Sequence, residues 1–249
     1  RRVVALIEVE LIRDRNSRET ERRPSPLLLR RLGRVPYAEA QAIQGALVEE
    51  RRCGAEHDTL LLLEHPPVIT LGRGANRDHV LCSPPVLKSR GIETHETGRG
   101  GDVTYHGPGQ LVGYPIVDLN CYGKDLHRYL RQLEEILIRT LADFGLSGAA
   151  LPGKTGVWIE GRKIASIGIA VRRWISYHGF AVNIDNDLSA FSAIIPCGLA
   201  NVTMTSMSKE LGMPVDKNQV AEALIGHFGA VMQRPLLGDI DDITLYTQA

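Results

Sequence analysis

The chain has 249 residues, 43% hydrophobic and 23% charged, and its 29 Lys and Arg balance its 29 Asp and Glu. Such a composition supports a folded domain with a real core, and zero formal charge gives no global field for nucleic acid or an anionic membrane. No apolar run reaches membrane-spanning length: Leu60-Leu-Leu-Leu63 is stopped by Glu64, His65, Pro66 and Pro67.

The four cysteines, Cys53, Cys82, Cys121 and Cys197, form no C-x-x-C pair and no zinc spacing. They fit reduced thiols in a cytosol-like compartment better than a disulfide framework. The first thirty residues are rich in arginine, from Arg13 to Arg31, but Glu8, Glu10, Asp14, Glu19 and Glu21 are interspersed, and transit peptides avoid acids. Val3–Ile12 reads as a strand followed by a solvated linker to about Pro26. Residues 1–31 are therefore set apart as an extension, 32–235 as the main domain and 236–249 as a tail.

Pro36 suits the first turn of a helix, Ala40, Ile43, Leu47 and Val48 recur at helical spacing, and Gly54 ends it. Thr59–Leu63 and Val68–Leu71 read as buried strands, Pro84–Arg90 as a short helix and Ile92–Thr97 as extended chain. A glycine-rich loop follows, then a strand from Leu111 to Leu119. From Asp125 to Phe144 the residues Leu126, Tyr129, Leu130, Leu133, Leu137, Leu141 and Phe144 form one apolar helical stripe, with Asp125 and Gly145 as its caps. Gly156–Glu160, Lys163–Val171 and Ile175–Ile184 read as an antiparallel hairpin system. Asp187–Pro196 is less regular, and a last helix opens at Asp216 with Gln219 in a capping-box arrangement. Helices and strands do not alternate regularly, which favours an α+β fold of mixed, largely antiparallel sheets packed with helices.

Chemistry concentrates in three places. The stretch Arg99-Gly-Gly-Asp-Val-Thr-Tyr-His106-Gly-Pro-Gly-Gln110 crowds glycines that let other atoms approach the backbone. It matches neither of the usual phosphate loops. Cys197, between Pro196 and Gly198, is the most suggestive thiol, and a nucleophilic cysteine needs a group that favours its thiolate. Lys163, entering an apolar strand after a turn, is one candidate: at about 4 Å and intermediate dielectric it would contribute on the order of 1–4 kcal/mol. His106 and His178, each in a Tyr-His-Gly context, are alternatives, so these residues alone leave thiol hydrolase and acyltransferase both open. The histidines and acids show no metal-ligand spacing.

Five segments carry a resemblance: Glu64-His-Pro-Pro-Val-Ile-Thr-Leu-Gly-Arg73, Arg99 to Ile116, Gly161-Arg-Lys-Ile-Ala-Ser-Ile-Gly168, His178-Gly-Phe-Ala-Val-Asn183 and Ile195-Pro-Cys-Gly198. Together, and in this order, they resemble the lipoyl(octanoyl) transferase family. The Arg-rich segment before Leu32 is additional to that pattern, and Asn201–Met207 departs from it. The resemblance implies a domain shared with lipoate and biotin ligases, and an octanoyltransferase of lipoate biosynthesis that needs no ATP and no cofactor. Cys197 would carry an octanoyl thioester, and Lys163 would favour the thiolate and protonate the departing thiol. Arg99, Gly100, Gly101, Asp102, Val103, Thr104, Tyr105 and His106, with Ser166, Ile167, Gly168, Gly179, Phe180 and Ala181, would line the acyl site, with Tyr114 and His178 as further additions.

The implied donor is octanoyl acyl carrier protein. The implied acceptors are lipoyl domains of 2-oxoacid dehydrogenase complexes and the glycine cleavage H protein. Neither nucleic acid nor membrane is an expected partner. The expected compartment is the cytoplasm, or the mitochondrial matrix in a eukaryote. Arg162, Arg172 and Arg173 are the expected carrier-docking surface. The rival readings are an ATP-dependent lipoate or biotin-type ligase, which does not need Pro-Cys-Gly, a non-catalytic acyl-chain or carrier-protein binding module, and a cysteine hydrolase.

Overall fold

The structure, a computed structural model, describes residues 26–198 and 202–239; the strand expected at Val3–Ile12 lies outside them. In chain order the elements are β1 (Leu27–Arg34), α1 (Tyr37–Arg52), β2 (Asp58–Glu64), β3 (Val68–Leu71), α2 (Pro84–Ser89), β4 (Glu93–Glu96), β5 (Val103–His106) and β6 (Gln110–Ile116). They continue with α3 (Leu126–Ala142), β7 (Ala149–Leu151), β8 (Lys154–Ile159), β9 (Arg162–Arg172), β10 (Ile175–Asn183), α4 (Met207–Leu211), α5 (Lys217–Met232) and β11 (Leu236–Asp239).

The large sheet has the order β11-β1-β2-β6-β10-β9-β8-β7. β1 runs parallel to β11 and β2, and the other neighbours pair antiparallel. A small sheet, β4-β3-β5, stands beside it. The leucine run of β2 shows why the large sheet is covered twice. Successive side chains on a strand point to opposite faces. Leu60 and Leu62 enter the core built with α3 and α5, while Leu61 and Leu63 pack against Ala40, Ile43 and Leu47 of α1. A strand segment buried on both faces reads as a continuous apolar run, as Leu60–Leu63 does between Asp58-Thr59 and Glu64.

On α3, Tyr129, Leu133, Ile136, Leu137 and Leu141 are buried, facing Val220, Leu224, Phe228 and Met232 of α5. Asp125 caps α3 by accepting the Arg128 N–H at 2.9 Å. Leu126, expected in the apolar stripe, is instead exposed.

The boundary drawn at 31/32 falls within β1, and the one at 235/236 falls just before β11, the strand that pairs with β1. β1 crosses the first, with Leu27 and Leu29 in the main core, and Leu27 and Leu28 of β1 pair with Leu236 and Leu237 of β11. Three leucines between prolines and arginines carry little local strand signal; their partners are distant in sequence. Asp58, at the start of β2, ties these ends together by meeting Arg51 at 2.8 Å and buried Arg234.

Leu133 is fully buried between α3 and the sheet. Leu133→Ala is expected to cost about 2–5 kcal/mol of stability, read from urea denaturation; a loss below about 1 kcal/mol would show that the core collapses around the gap.

Candidate active site

Lys163 enters the site from the start of β9. A register shift in the β8–β9 pairing sets Val157 opposite Ala165 but Trp158 opposite Lys163, leaving Ile164 as the extra residue of a bulge. Ile164 goes to the main core, and Lys163 turns to the other face. Its backbone is also bonded on the far edge, where its N–H donates to Thr203 O at 2.8 Å and its carbonyl accepts from Thr205 N–H at 2.9 Å.

The lysine stem crosses the sheet over Gly156. A Cβ at Gly156 would lie 2.8 Å from Lys163 Cε and 2.5 Å from Ala165 O, and its φ of +124° is itself unfavourable for other residues. The Gly156 N–H donates to the buried Glu134 carboxylate at 3.0 Å. Lys163 is only 2% exposed. Its Nζ stands 5.2 Å from the centroid of the Trp158 ring and 3.1 Å from Cys197 Sγ.

Cys197 occupies the middle of the Pro196–Gly198 turn with φ 58° and ψ 19°. That left-handed conformation costs a non-glycine residue roughly 1–2 kcal/mol, so the turn has to be held by its surroundings.

Beside the pair opens a cavity of about 300 Å³. One wall is the glycine-rich loop, whose Gly100 N–H donates to Ile169 O of β9 at 2.8 Å. Arg99, Gly100, Gly101, Asp102, Val103, Thr104 and His106 line it, facing Ser166, Ile167 and Gly168 of β9 and Gly179, Phe180 and Ala181 of β10. Tyr114, His178, Lys163 and Cys197 complete the expected set around the cavity. Tyr105 does not belong to it. On β5 it points to the opposite side from Thr104 and His106, into the small core, where its ring meets Phe191 at 5.4 Å.

Arg99 is a buried cation spent inside the wall. Its Nη2 donates to Thr70 O at 2.6 Å and Thr70 Oγ1 at 2.9 Å, its Nη1 donates to Gly100 O at 3.1 Å, and burial pulls its pKa down. The histidines behind it are held neutral. Burial, the largest cause for each, pushes His65 down to about 4, His106 to about 3 and His178 to about 4. His65 bonds Tyr114 Oη at 2.8 Å and Val35 O at 2.7 Å, and His106 Nδ1 bonds Gln110 Oε1 at 2.7 Å. The His178 backbone N–H donates to Gln44 Oε1 at 2.7 Å, which steadies its left-handed φ of 55°. It is Lys163, not His106 or His178, that meets the thiol.

Four further lining contributions carry no sequence signal: Tyr37, which opens α1, Gly153 of the β7–β8 turn, and Lys154 and Thr155 at the start of β8. Arg162 is matched by Glu210 at 2.9 Å and Glu160 at 3.0 Å, and Arg172 by Glu49 at 2.8 Å. Two of the three arginines expected to dock a carrier are thus paired within the chain. Among the described residues no three His, Cys, Asp or Glu side chains gather where they would hold a metal ion, and no helix is long and apolar enough to cross a membrane.

The family profile of the lipoyl protein ligase A/B catalytic domain matches residues 36–229. The octanoyltransferase of Geobacter metallireducens is 48% identical over 210 residues, covering 84% of this chain and 95% of that protein. The octanoyltransferase of Rubrobacter xylanophilus is 48% identical over 220 residues, covering 87% and 99%. Among solved structures, a bipartite lipoate protein ligase from Thermoplasma acidophilum superposes with a TM-score of 0.69 at 19% identity over 88% of each chain. A lipoate-protein ligase A bound with ATP gives 0.66 at 18% identity over 88% of this chain and 90% of that one. At these identities the structural likeness speaks to fold alone.

The buried histidines set an acid limit. An unfolded imidazole titrates near 6.5, so below that pH the unfolded chain takes up protons that folded His65, His106 and His178 refuse until about 4, 3 and 4. Their contribution is whole above about pH 6.5 and falls as pH drops toward 4. Urea midpoints measured between pH 7.5 and 4.5 are expected to decline, and less steeply in His178→Asn, a residue that tolerates left-handed backbone; equal slopes would show that His178 is not refusing a proton.

Proposed function

The chain belongs to the lipoyl protein ligase A/B catalytic family, as one of its lipoyl(octanoyl) transferases, and we propose that it works through a thioester on Cys197. It is an acyltransferase that moves an octanoyl group in lipoate biosynthesis. The observation that carries the mechanism is the 3.1 Å contact of Lys163 Nζ with Cys197 Sγ at a glycine-walled cavity.

An ammonium at that distance stabilises a thiolate. In the first step Sγ attacks the carbonyl carbon of octanoyl acyl carrier protein. A C–S bond forms to Cys197, the donor C–S bond breaks, and the Lys163 ammonium gives its proton to the departing thiolate. Lys163 is then a neutral amine. In the second step the amine of an acceptor lysine attacks the Cys197 thioester; an amide C–N bond forms and the C–S bond breaks. Lys163 takes the amine proton, and the ammonium–thiolate pair is restored. A thioester donor is already activated, so the exchange onto Cys197 is nearly isoenergetic and the transfer to an amine runs downhill without ATP.

The acceptor lysine belongs to a lipoyl domain of a 2-oxoacid dehydrogenase complex or to the glycine cleavage H protein. The cavity takes the octanoyl tail between β9, β10 and the glycine-rich loop. A mechanism that needs Cys197 as a reduced thiolate fits a reducing compartment such as the cytoplasm. The thiol in the site argues against an adenylating ligase, which has no use for one.

Octanoyl carrier protein without ATP is expected to add one hydroxylamine-labile octanoyl group to Cys197, detected by intact-protein mass spectrometry and abolished by Cys197→Ser. Lys163→Ala is expected to slow the addition about 10²–10⁴-fold. A folded protein that takes no octanoyl from a loaded donor would overturn the thioester route.

A further inference from the structure

The strand-like segment leading into Cys197 is held by a part of the chain that the mechanism does not use. Leu81 N–H donates to Ala193 O at 2.8 Å, Ile195 N–H donates to His79 O at 2.8 Å, and Val80 and Ile194 form a bridge between them. From that same segment the His79 ring turns back toward the cavity, and its Nδ1 lies 2.6 Å from Asp102 Oδ2. A carboxylate only accepts, so Nδ1 carries the proton whether the ring is neutral or charged.

The second Asp102 oxygen accepts the Val103 N–H at 2.8 Å and the Asn76 N–H at 3.2 Å. Gly198, next to the nucleophile, rests on this pair with φ +66°. A Cβ there would overlap Asp102 Oδ2 and stand 3.1 Å from His79 Cε1. One carboxylate therefore joins the turn after β3, the glycine-rich wall and the nucleophile turn. The bond is shielded, with the His79 side chain 23% exposed and that of Asp102 13%.

We infer that His79 is a positioning residue for Cys197: its bond to Asp102 clamps the nucleophile turn against the glycine-rich wall and keeps Sγ within reach of Lys163. His79 has no bond to the sulfur and takes no part in proton transfer. Its effect runs through where a left-handed cysteine is held. The inference rests on Cys197 as the reacting residue.

The test compares the full chain with His79→Ala, His79→Asn and Asp102→Asn. The rate of Cys197 alkylation by iodoacetamide is followed across pH, and single-turnover acylation by octanoyl carrier protein is measured alongside. His79→Ala is expected to slow acylation about 10²-fold, the scale of a misplaced reacting group, and to move the alkylation profile toward that of Lys163→Ala. His79→Asn, which can place a side-chain N–H near the Nδ1 position, is expected to recover most of both. Asp102→Asn gives the same reading should His79→Ala not fold, because an amide cannot accept with both of its terminal atoms. An unchanged alkylation profile in His79→Ala and Asp102→Asn would overturn the clamp, as would a rate loss that His79→Asn does not relieve. The alkylation arm needs no donor, so a wild-type protein that takes no octanoyl would refute the thioester route while still reporting on His79.

Discussion

An ammonium group buried beside a thiol is the constraint around which this structure is built. Removing a cation from water is costly unless something nearby meets the charge, and Lys163 is almost fully enclosed. The sulfur of Cys197 meets it on one side and the face of Trp158 on another. Cation–aromatic contacts contribute about 0.5–2 kcal/mol. Several local irregularities follow from this arrangement. The bulge at Ile164 turns Lys163 away from the core, Gly156 leaves room for its stem, and Glu134 reaches across from α3 to fix Gly156. The left-handed turn at Cys197 brings the sulfur to the lysine rather than the reverse.

The histidines in and behind the cavity wall are polar but uncharged, and the buried guanidinium beside them is turned into the protein. His65, His106 and His178 are held neutral by burial, and the Arg99 guanidinium is occupied by Thr70 and Gly100. An apolar chain can lie against neutral rings and backbone without displacing a hydration shell. The reacting pair, Lys163 and Cys197, thus stands at the cavity, whose shape is supplied by the loop and the two central strands.

Much of this was legible in the residues. The leucine run of β2, the stripe of α3 and the hairpins from Gly156 to Ile184 follow from local periodicity, and the structure carries all three. Local pattern failed where partners are remote. Leu27–Leu29 make a strand only because β2 and β11 flank them, and Lys154 becomes part of a cavity wall only through the β7–β8 turn. Tyr105 went astray for a different reason. A contiguous motif is not a contiguous surface, because a strand sends alternate residues to opposite sides. The choice between lysine and histidine as partner of the thiol needed three dimensions, because nothing in the spacing of Lys163, His106 and His178 ranks their distances from Cys197.

The place of β1 in the large sheet has a consequence for how the chain assembles. Its two neighbours come from opposite ends of the molecule, since β2 follows it closely and β11 is the last described strand. The catalytic half, from β8 to β10, is made of sequential hairpins of low contact order that can form as soon as they emerge. The β1 edge, by contrast, stays open until the carboxyl-terminal segment is synthesised, and an open strand edge is a template for pairing with other chains. A nascent molecule can therefore own much of its reaction centre while β1 still lacks one of its two neighbours, which β11 supplies last among the described strands.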